Sequence, residues 1–268
     1  MIDIIIPVYN DKNNLELALM SVAMQSIRDF FNIYIIDDAS NCNYEHIIRK
    51  FSKELKIKYF KLEKNMGAGL ARQYGIFKSN SPYISFLDSD DLLFNPKSME
   101  YLYKTICSGM DYVTSIEFDE RYNIYCDNEN SLHGKMYSRF FIYEKMIKFN
   151  DTKFHEDCFF NNLVLICSPK KASVDKVTYF YSNNKKSTTS ITRTEYFSKF
   201  NDLFYNIKLI LDYAYNNNCK AEAINSFIYG KQKYLKSVYS KLDEIERAQF
   251  FKWINDYKLE KELLQIFK

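Results

Sequence analysis

Glycine and proline are scarce, with six and four among 268 residues, which excludes collagen-like and Pro/Gly-rich disordered chains. The six cysteines (Cys42, Cys107, Cys126, Cys158, Cys167, Cys219) never form a C-x-x-C pair. Their spacing therefore encodes neither a zinc site nor a disulfide framework and fits a reducing compartment. No run reaches the roughly 18 apolar residues of a membrane helix. The opening Met1-Ile2-Asp3-Ile4-Ile5-Ile6-Pro7 lacks the basic flank and long apolar stretch of a signal peptide. An excess of one charge is missing too: 37 basic and 34 acidic side chains leave a formal +3, a balance that argues against nucleic acid as the partner. The expected location is the cytoplasm, with peripheral attachment at the inner membrane face as the variant.

What is present is a rich supply of core formers, 47% hydrophobic with 22 Phe and 23 Tyr, enough to bury a core without staples. Strand-like runs at 2–8, 31–36, 57–62 and 83–87 are separated by amphipathic stretches. Leu15, Leu19 and Val22 share one helical face, and Ile47, Ile48, Phe51 and Leu55 share another. Near-continuous apolar strands alternating with helices predict a mostly parallel sheet covered on both faces. Short strands near 112–117 and 177–181 and helices near 140–149 and 157–166 follow, and everything beyond Thr194 reads helical. Ligands of such sheets bind outside the carboxyl ends of the strands. Tyr9, Asn10, Asp37, Asp38, Asp88, Asp90 and Asp91 are the polar residues placed there.

The run Phe86-Leu87-Asp88-Ser89-Asp90-Asp91 sets three carboxylates just past a buried strand. Their mutual repulsion costs energy unless a cation or hydrogen-bond donors offset it. Mg²⁺ or Mn²⁺ takes oxygen ligands from one or two carboxylates and completes its shell with substrate phosphates. A helix cap or a solvated acidic turn is the plainer use of the same residues.

Four segments, Ile5-Ile6-Pro7-Val8-Tyr9-Asn10, Ile35-Ile36-Asp37-Asp38-Ala39-Ser40, Asn65-Met66-Gly67-Ala68-Gly69-Leu70-Ala71-Arg72 and the acidic run, stand in the order and spacing of family-two inverting glycosyltransferases. His133-Gly134-Lys135-Met136-Tyr137, the pair Glu156-Asp157 and a hydroxyl-rich 181–192 segment extend the resemblance over roughly residues 1–195. The family implies the GT-A fold, an α/β Rossmann-like sheet flanked by helices. Expected here are a nucleotide-binding half at 1–95, an acceptor half at 96–195 and an all-helical extension at 196–268.

The resemblance implies that Pro7, Val8, Tyr9 and Asn10 lie under the base and ribose. It makes Asp38 the base reader, a carboxylate that accepts from the uracil N–H. It further implies that Arg72 reaches the nucleotide, that Asp88 and Ser89 adjoin the donor, that Asp90 is the metal ligand and that Asp91 supports it. Asp157 is the expected general base for the acceptor hydroxyl, Glu156 its orienting neighbour, and Lys135 and Ser187 donors to the diphosphate. His155 is read as a structural hydrogen-bonder and left outside the site. Ala39 departs from the pattern, where glycine is frequent. Gln249-Phe250-Phe251-Lys252-Trp253 imitates the Q-x-x-R-W box of processive synthases, but lysine replaces arginine and the run reads as an amphipathic helix, so single addition is expected.

The implied activity moves a sugar from a UDP-sugar to an acceptor hydroxyl on a saccharide, a lipid-linked saccharide or a protein, with Mn²⁺ or Mg²⁺ as cofactor. A homo-oligomer through the C-terminal helices is the expected assembly. Two competitors are a nucleotidyltransferase, which would open on a Gly-rich basic phosphate loop that Pro7-Val8-Tyr9-Asn10-Asp11 is not, and a non-catalytic nucleotide-binding module.

Overall fold

The first strand, β1 (Ile2–Val8), is buried at every position, and its alternation serves two faces. Ile2, Ile4, Ile6 and Val8 join a core with Leu15, Ala18, Leu19 and Val22 of α1 (Lys12–Ala23), while Ile5 on the other face lies against Gly75. Each fully buried isoleucine contributes roughly 1.5–3 kcal/mol. The computed structural model describes residues 1–126, 130–184 and 193–264; Ser187 lies outside them.

The chain divides into two compact units, Met1–Asp151 with Pro169–Ser187, and Thr152–Ser168 with Thr188–Lys268. In the first, β1 and α1 are followed by β2 (Phe31–Asp37), α2 (Glu45–Phe51), β3 (Ile57–Lys61), α3 (Ala68–Lys78) and β4 (Tyr83–Phe86). Next come β5 (Leu92–Leu93), α4 (Ser98–Ile106), β6 (Tyr112–Asp119), β7 (Ile124–Cys126), β8 (Met136–Ser138), α5 (Arg139–Glu144) and β9 (Lys171–Tyr181). The sheet runs β3-β2-β1-β4-β8-β6-β9-β5, with β7 on β6. β3, β2, β1 and β4 pair in parallel, so their carboxyl ends share one edge; β8 then pairs antiparallel with β4.

Two acidic or cyclic residues inside β1 have specific uses. Asp3 is fully buried. Its carboxylate accepts from the Asn80 and Ser81 amides at 2.7 and 2.6 Å, from Ser81 Oγ at 2.7 Å and from Asn32 Nδ2 at 2.9 Å, pinning the turn before β4. Pro7 can lie in an inner strand because β4 pairs with β1 only through Ile5↔Phe86. Its missing N–H falls on the side where β4 has already ended.

Gly75 lets α3 sit on the sheet, since a Cβ there would lie 2.5 Å from Ile5 Cγ2. Ala39 takes φ 62, a left-handed conformation that costs an alanine about 1–2 kcal/mol, and explains why glycine suits this turn.

The second unit is helical: α6 (Glu156–Ile166), α7 (Arg193–Asn216), α8 (Ala221–Tyr239), α9 (Glu244–Asp256) and α10 (Glu260–Leu263). The α6 segment, which carries Glu156 and Asp157, thus groups with the C-terminal helices. α9 starts in a capping box between Asp243 and Glu246. It buries Phe250, Trp253 and Ile254, with Phe250 edge-on to Phe204 at 5.0 Å. Trp253 is therefore a core residue of this unit, the structural use expected of the Gln249–Trp253 stretch. No described helix is long and apolar enough to cross a membrane.

Candidate active site

The carboxyl ends of β1 and β2 are laced together. Asn10 adopts φ 52, donates its amide to Ser40 Oγ at 2.8 Å and accepts the Asn41 amide on Oδ1 at 2.8 Å. Tyr44 Oη takes the Asp11 amide at 3.1 Å. Pro7 and Val8 are buried in the strand, whereas Tyr9, at 50%, and Asn10 are exposed. Asp37 is spent on the loop, accepting from the Ser40 amide at 2.8 Å and Tyr59 Oη at 2.5 Å. Asp38 accepts the amides of Met66 and Gly67 at 2.7 and 2.8 Å. Its two oxygens thus fasten the loop leading into α3, and any base reading uses their remaining lone pairs.

The acidic turn follows β4. The Leu87 amide still bonds Ile5 O at 3.1 Å, and the Asp91 amide closes the turn on Asp88 O at 3.1 Å. β5 then pairs Leu92↔Phe180 and Leu93↔Tyr179, so both ends are fixed. Tyr179 Oη accepts the Asp88 amide at 3.2 Å and donates to Asp91 Oδ2 at 2.7 Å. The Ser182 amide donates to Asp91 Oδ1 at 2.8 Å. Ser89 Oγ lies 3.4 Å from Asp11 Oδ2.

The three acids differ electrostatically. Burial raises Asp88, but the Arg72 guanidinium at 2.5 Å and His133 outweigh it and hold the carboxyl well below the usual range. Burial pushes Asp91 up to about 8, opposed by His133 and aided by Asp88 and Asp90. Asp90 is raised by burial and then by the charge of Asp88. Its hydrogen-bond donor is Asn184 Nδ2 at 3.0 Å, and no basic side chain among the described residues pairs with it. The donor set fits a hard cation. Asp90 offers a carboxylate with no basic partner among the described residues, and one ligand atom each from Asp88, Asp91 and His133 lie within 4.8 Å of one another.

Sequence reasoning missed the underside of this turn. His133, Glu117 and Tyr179 form it, and the signals were an imidazole in the His133–Tyr137 motif and an acid inside the apolar strand β6. Gly134 makes the arrangement possible. It has φ 60, and a Cβ there would sit 2.6 Å from Ser115 Oγ. Lys135 is 1% exposed, with Nζ 3.3 Å from His133 O and 3.5 Å from Ser131 Oγ, which places it in the interior of the first unit. Arg72 is 4% exposed and lies 6.0 Å over the Phe149 ring.

Asp157 belongs to the second unit. His155, at φ 63, starts α6. Asp157 Oδ1 accepts the Cys158 amide at 2.6 Å, and a carboxylate at this helix end is favoured by the peptide dipoles. Burial lowers His155 and Lys231 and raises Cys158, while the charge of Asp157 acts the other way on the two bases. His155 O accepts from Asn206 Nδ2 at 3.3 Å, a structural use of this residue. Glu156 begins α6 beside it.

A mixed sheet whose parallel strands end in carboxylates belongs to the open α/β class, whose ligands bind outside those strand ends. Residues 3–172 match Glycosyl transferase family 2, and the chain belongs to that family. The minor teichoic acid biosynthesis protein GgaA of Bacillus subtilis is 27% identical over 223 residues, covering 72% of this chain and 50% of GgaA. The chain spans half the length or less of the curated relatives it matches first. Residues 1–349 of S. aureus TarS in complex with UDP-GlcNAc superpose with a TM-score of 0.84 at 18% identity, over 99% of this chain and 82% of that one. The mannosyltransferase PcManGT of Pyrobaculum calidifontis, with GDP-Man and Mn²⁺, gives 0.62 at 12%, over 97% and 86%. These likenesses establish the GT-A fold.

Proposed function

We propose that this chain is a metal-dependent inverting glycosyltransferase that moves a sugar from a UDP-sugar to an acceptor hydroxyl, one addition at a time. The observation that carries the reading is the asymmetry of the acidic turn: Asp88 and Asp91 have internal cationic neighbours, and Asp90 has none among the described residues. A half-buried carboxylate without a basic partner is disfavoured, and a divalent cation held by Asp90 would offset that cost. When bound, the cation supplies Lewis-acid stabilisation of the departing UDP. Mn²⁺ accompanies GDP-Man in PcManGT, and UDP-GlcNAc occupies TarS, which supports both halves of the reading.

The chain's own residues do the rest. Tyr9, exposed beyond Pro7 and Val8, offers a ring to the base, with Asn10 fixing its loop. Asp38 takes the uracil N–H on a free lone pair. Asp88, oriented by Arg72, receives a ribose hydroxyl, and Ser89 and Asp91 hold the turn in shape. Asp157 removes the proton from the acceptor hydroxyl as that oxygen attacks the anomeric carbon, with Glu156 orienting the acceptor. Lys135 and Ser187 are the proposed donors to the diphosphate. The acceptor is proposed to be a saccharide, a lipid-linked saccharide or a protein, and the teichoic acid role in GgaA's name favours a surface polymer. The C-terminal helices are the proposed oligomer contact, and the cytoplasmic side of the membrane the proposed place of work.

Incubation with a panel of UDP-sugars and Mn²⁺ tests this: UDP appears for one donor and stops when the metal is chelated. Formation of UTP and sugar 1-phosphate on adding pyrophosphate, with no UDP released, would mark a nucleotidyltransferase, and UDP binding without turnover on any donor and acceptor would mark a binding module.

A further inference from the structure

β9 ends at Tyr181, and the backbone from there to Asn184 is gripped by the residues at the end of β6. Glu120, just past that strand, donates its amide to Tyr181 O at 3.0 Å and accepts the Asn183 amide on Oε2 at 2.8 Å. Arg121, held by Asp119 at 2.6 Å, lies 4.1 Å over the Tyr181 ring. The Asn184 amide turns back onto Ser182 O at 3.0 Å. The same segment reaches the acidic turn twice: the Ser182 amide donates to Asp91 Oδ1 at 2.8 Å, and Asn184 Nδ2 donates to Asp90 Oδ2 at 3.0 Å. An ionised carboxylate only accepts, so the Asn184 side chain must turn its nitrogen, not its oxygen, to Asp90.

Neighbouring carboxylates repel, and donors are needed to hold them side by side. A neutral amide fixes the direction of a carboxylate and leaves its charge for a cation, whereas a lysine in the same place would cancel that charge. From this geometry we infer that residues 181–184 are a strap that sets the acidic turn: Asn184 is the positioning residue of Asp90, and Glu120 anchors the strap through the Asn183 amide. The task of Glu120 is to accept a backbone N–H, so a neutral acceptor of the same length serves in its place. The inference rests on the metal-dependent reading above and adds the residues that hold the metal's acid in position.

The test uses the full chain with Mn²⁺ and UDP, read by calorimetric titration. Asn184→Ala is expected to weaken Mn²⁺-dependent UDP binding about 10-fold or more, in the range of lost supporting residues at metal sites, while the metal-free UDP affinity stays near wild type. Glu120→Ala is expected to act in the same direction, and Glu120→Gln to keep the wild-type response, because the glutamine carbonyl still accepts the Asn183 amide. An unchanged Mn²⁺ response in Asn184→Ala or in Glu120→Ala would overturn the inference, as would a Glu120→Gln protein no better than Glu120→Ala. If wild-type protein binds UDP without any effect of Mn²⁺, the metal-dependent reading fails. Side-chain ¹H–¹⁵N spectra of the metal-free protein then decide the strap alone, and they decide it too if Asn184→Ala does not fold. The Asn184 amide signal, identified by its loss in Asn184→Asp, is expected to move in Asp90→Ala and in Glu120→Ala and to hold its place in Glu120→Gln; a signal that Asp90→Ala leaves unmoved overturns the inference.

Discussion

Arg72 donates to Asp88 across 2.5 Å, with the guanidinium 5% and the carboxylate 25% exposed. The pair joins the first turns of α3 to the end of β4, so it couples the helix position to the acidic turn. Arg72→Ala strands Asp88 without its nearest cation. Breaking a buried pair costs about 3–5 kcal/mol, and the partial exposure of Asp88 brings the expected loss to about 2 kcal/mol. Urea unfolding reads this, and Arg72→Lys is expected to recover part of the stability and less of the UDP affinity, because a lysine lacks the planar fork.

Gly75→Ala separates packing from propensity. Alanine gains about 1 kcal/mol of helix propensity, but its Cβ would fall 2.5 Å from Ile5 Cγ2 and 3.3 Å from Ile36 Cγ1. Overpacking typically costs about 1–3 kcal/mol. A net loss of about 1 kcal/mol is expected in denaturant melts, and an unchanged midpoint would show that α3 can lift from the sheet.

Asp90→Asn keeps the shape of the side chain and removes a charge that has no basic partner among the described residues. The metal-free variant is expected to be at least as stable as wild type, since burial disfavours the Asp90 carboxylate. Calorimetric titration is expected to show UDP binding that no longer responds to Mn²⁺. Retained metal stimulation would move the ligand role to another acid of the turn.

Much of the fold was legible because its signals are local. Continuous apolar runs at β1, β2 and β4 and the helical spacing of Leu15, Leu19 and Val22 mark a parallel sheet with covered faces, and the first four strands lie within a residue or so of their expected limits. The family was legible for the same reason, since its motifs are contiguous strings at strand ends. The underside of the acidic turn was not. Glu117 lies on β6, His133 just ahead of β8 and Tyr179 on β9, and their meeting is set by antiparallel and crossover pairing that no short window contains. Lys135 reads as a solvated cation by composition, yet β8 carries its neighbours inward and its ammonium is buried with them. The grouping of α6 with the C-terminal helices was equally out of reach, because aromatic spacing on α7 does not say which helix it meets.

The central claim is tested most directly by donor binding and turnover of Asp157→Asn, measured side by side with Mn²⁺ and the preferred UDP-sugar. The account predicts a donor dissociation constant within about 3-fold of wild type and a turnover number lowered by about 10²–10⁴, the range of a lost general base. Turnover at the wild-type rate in a variant that binds donor normally would contradict it.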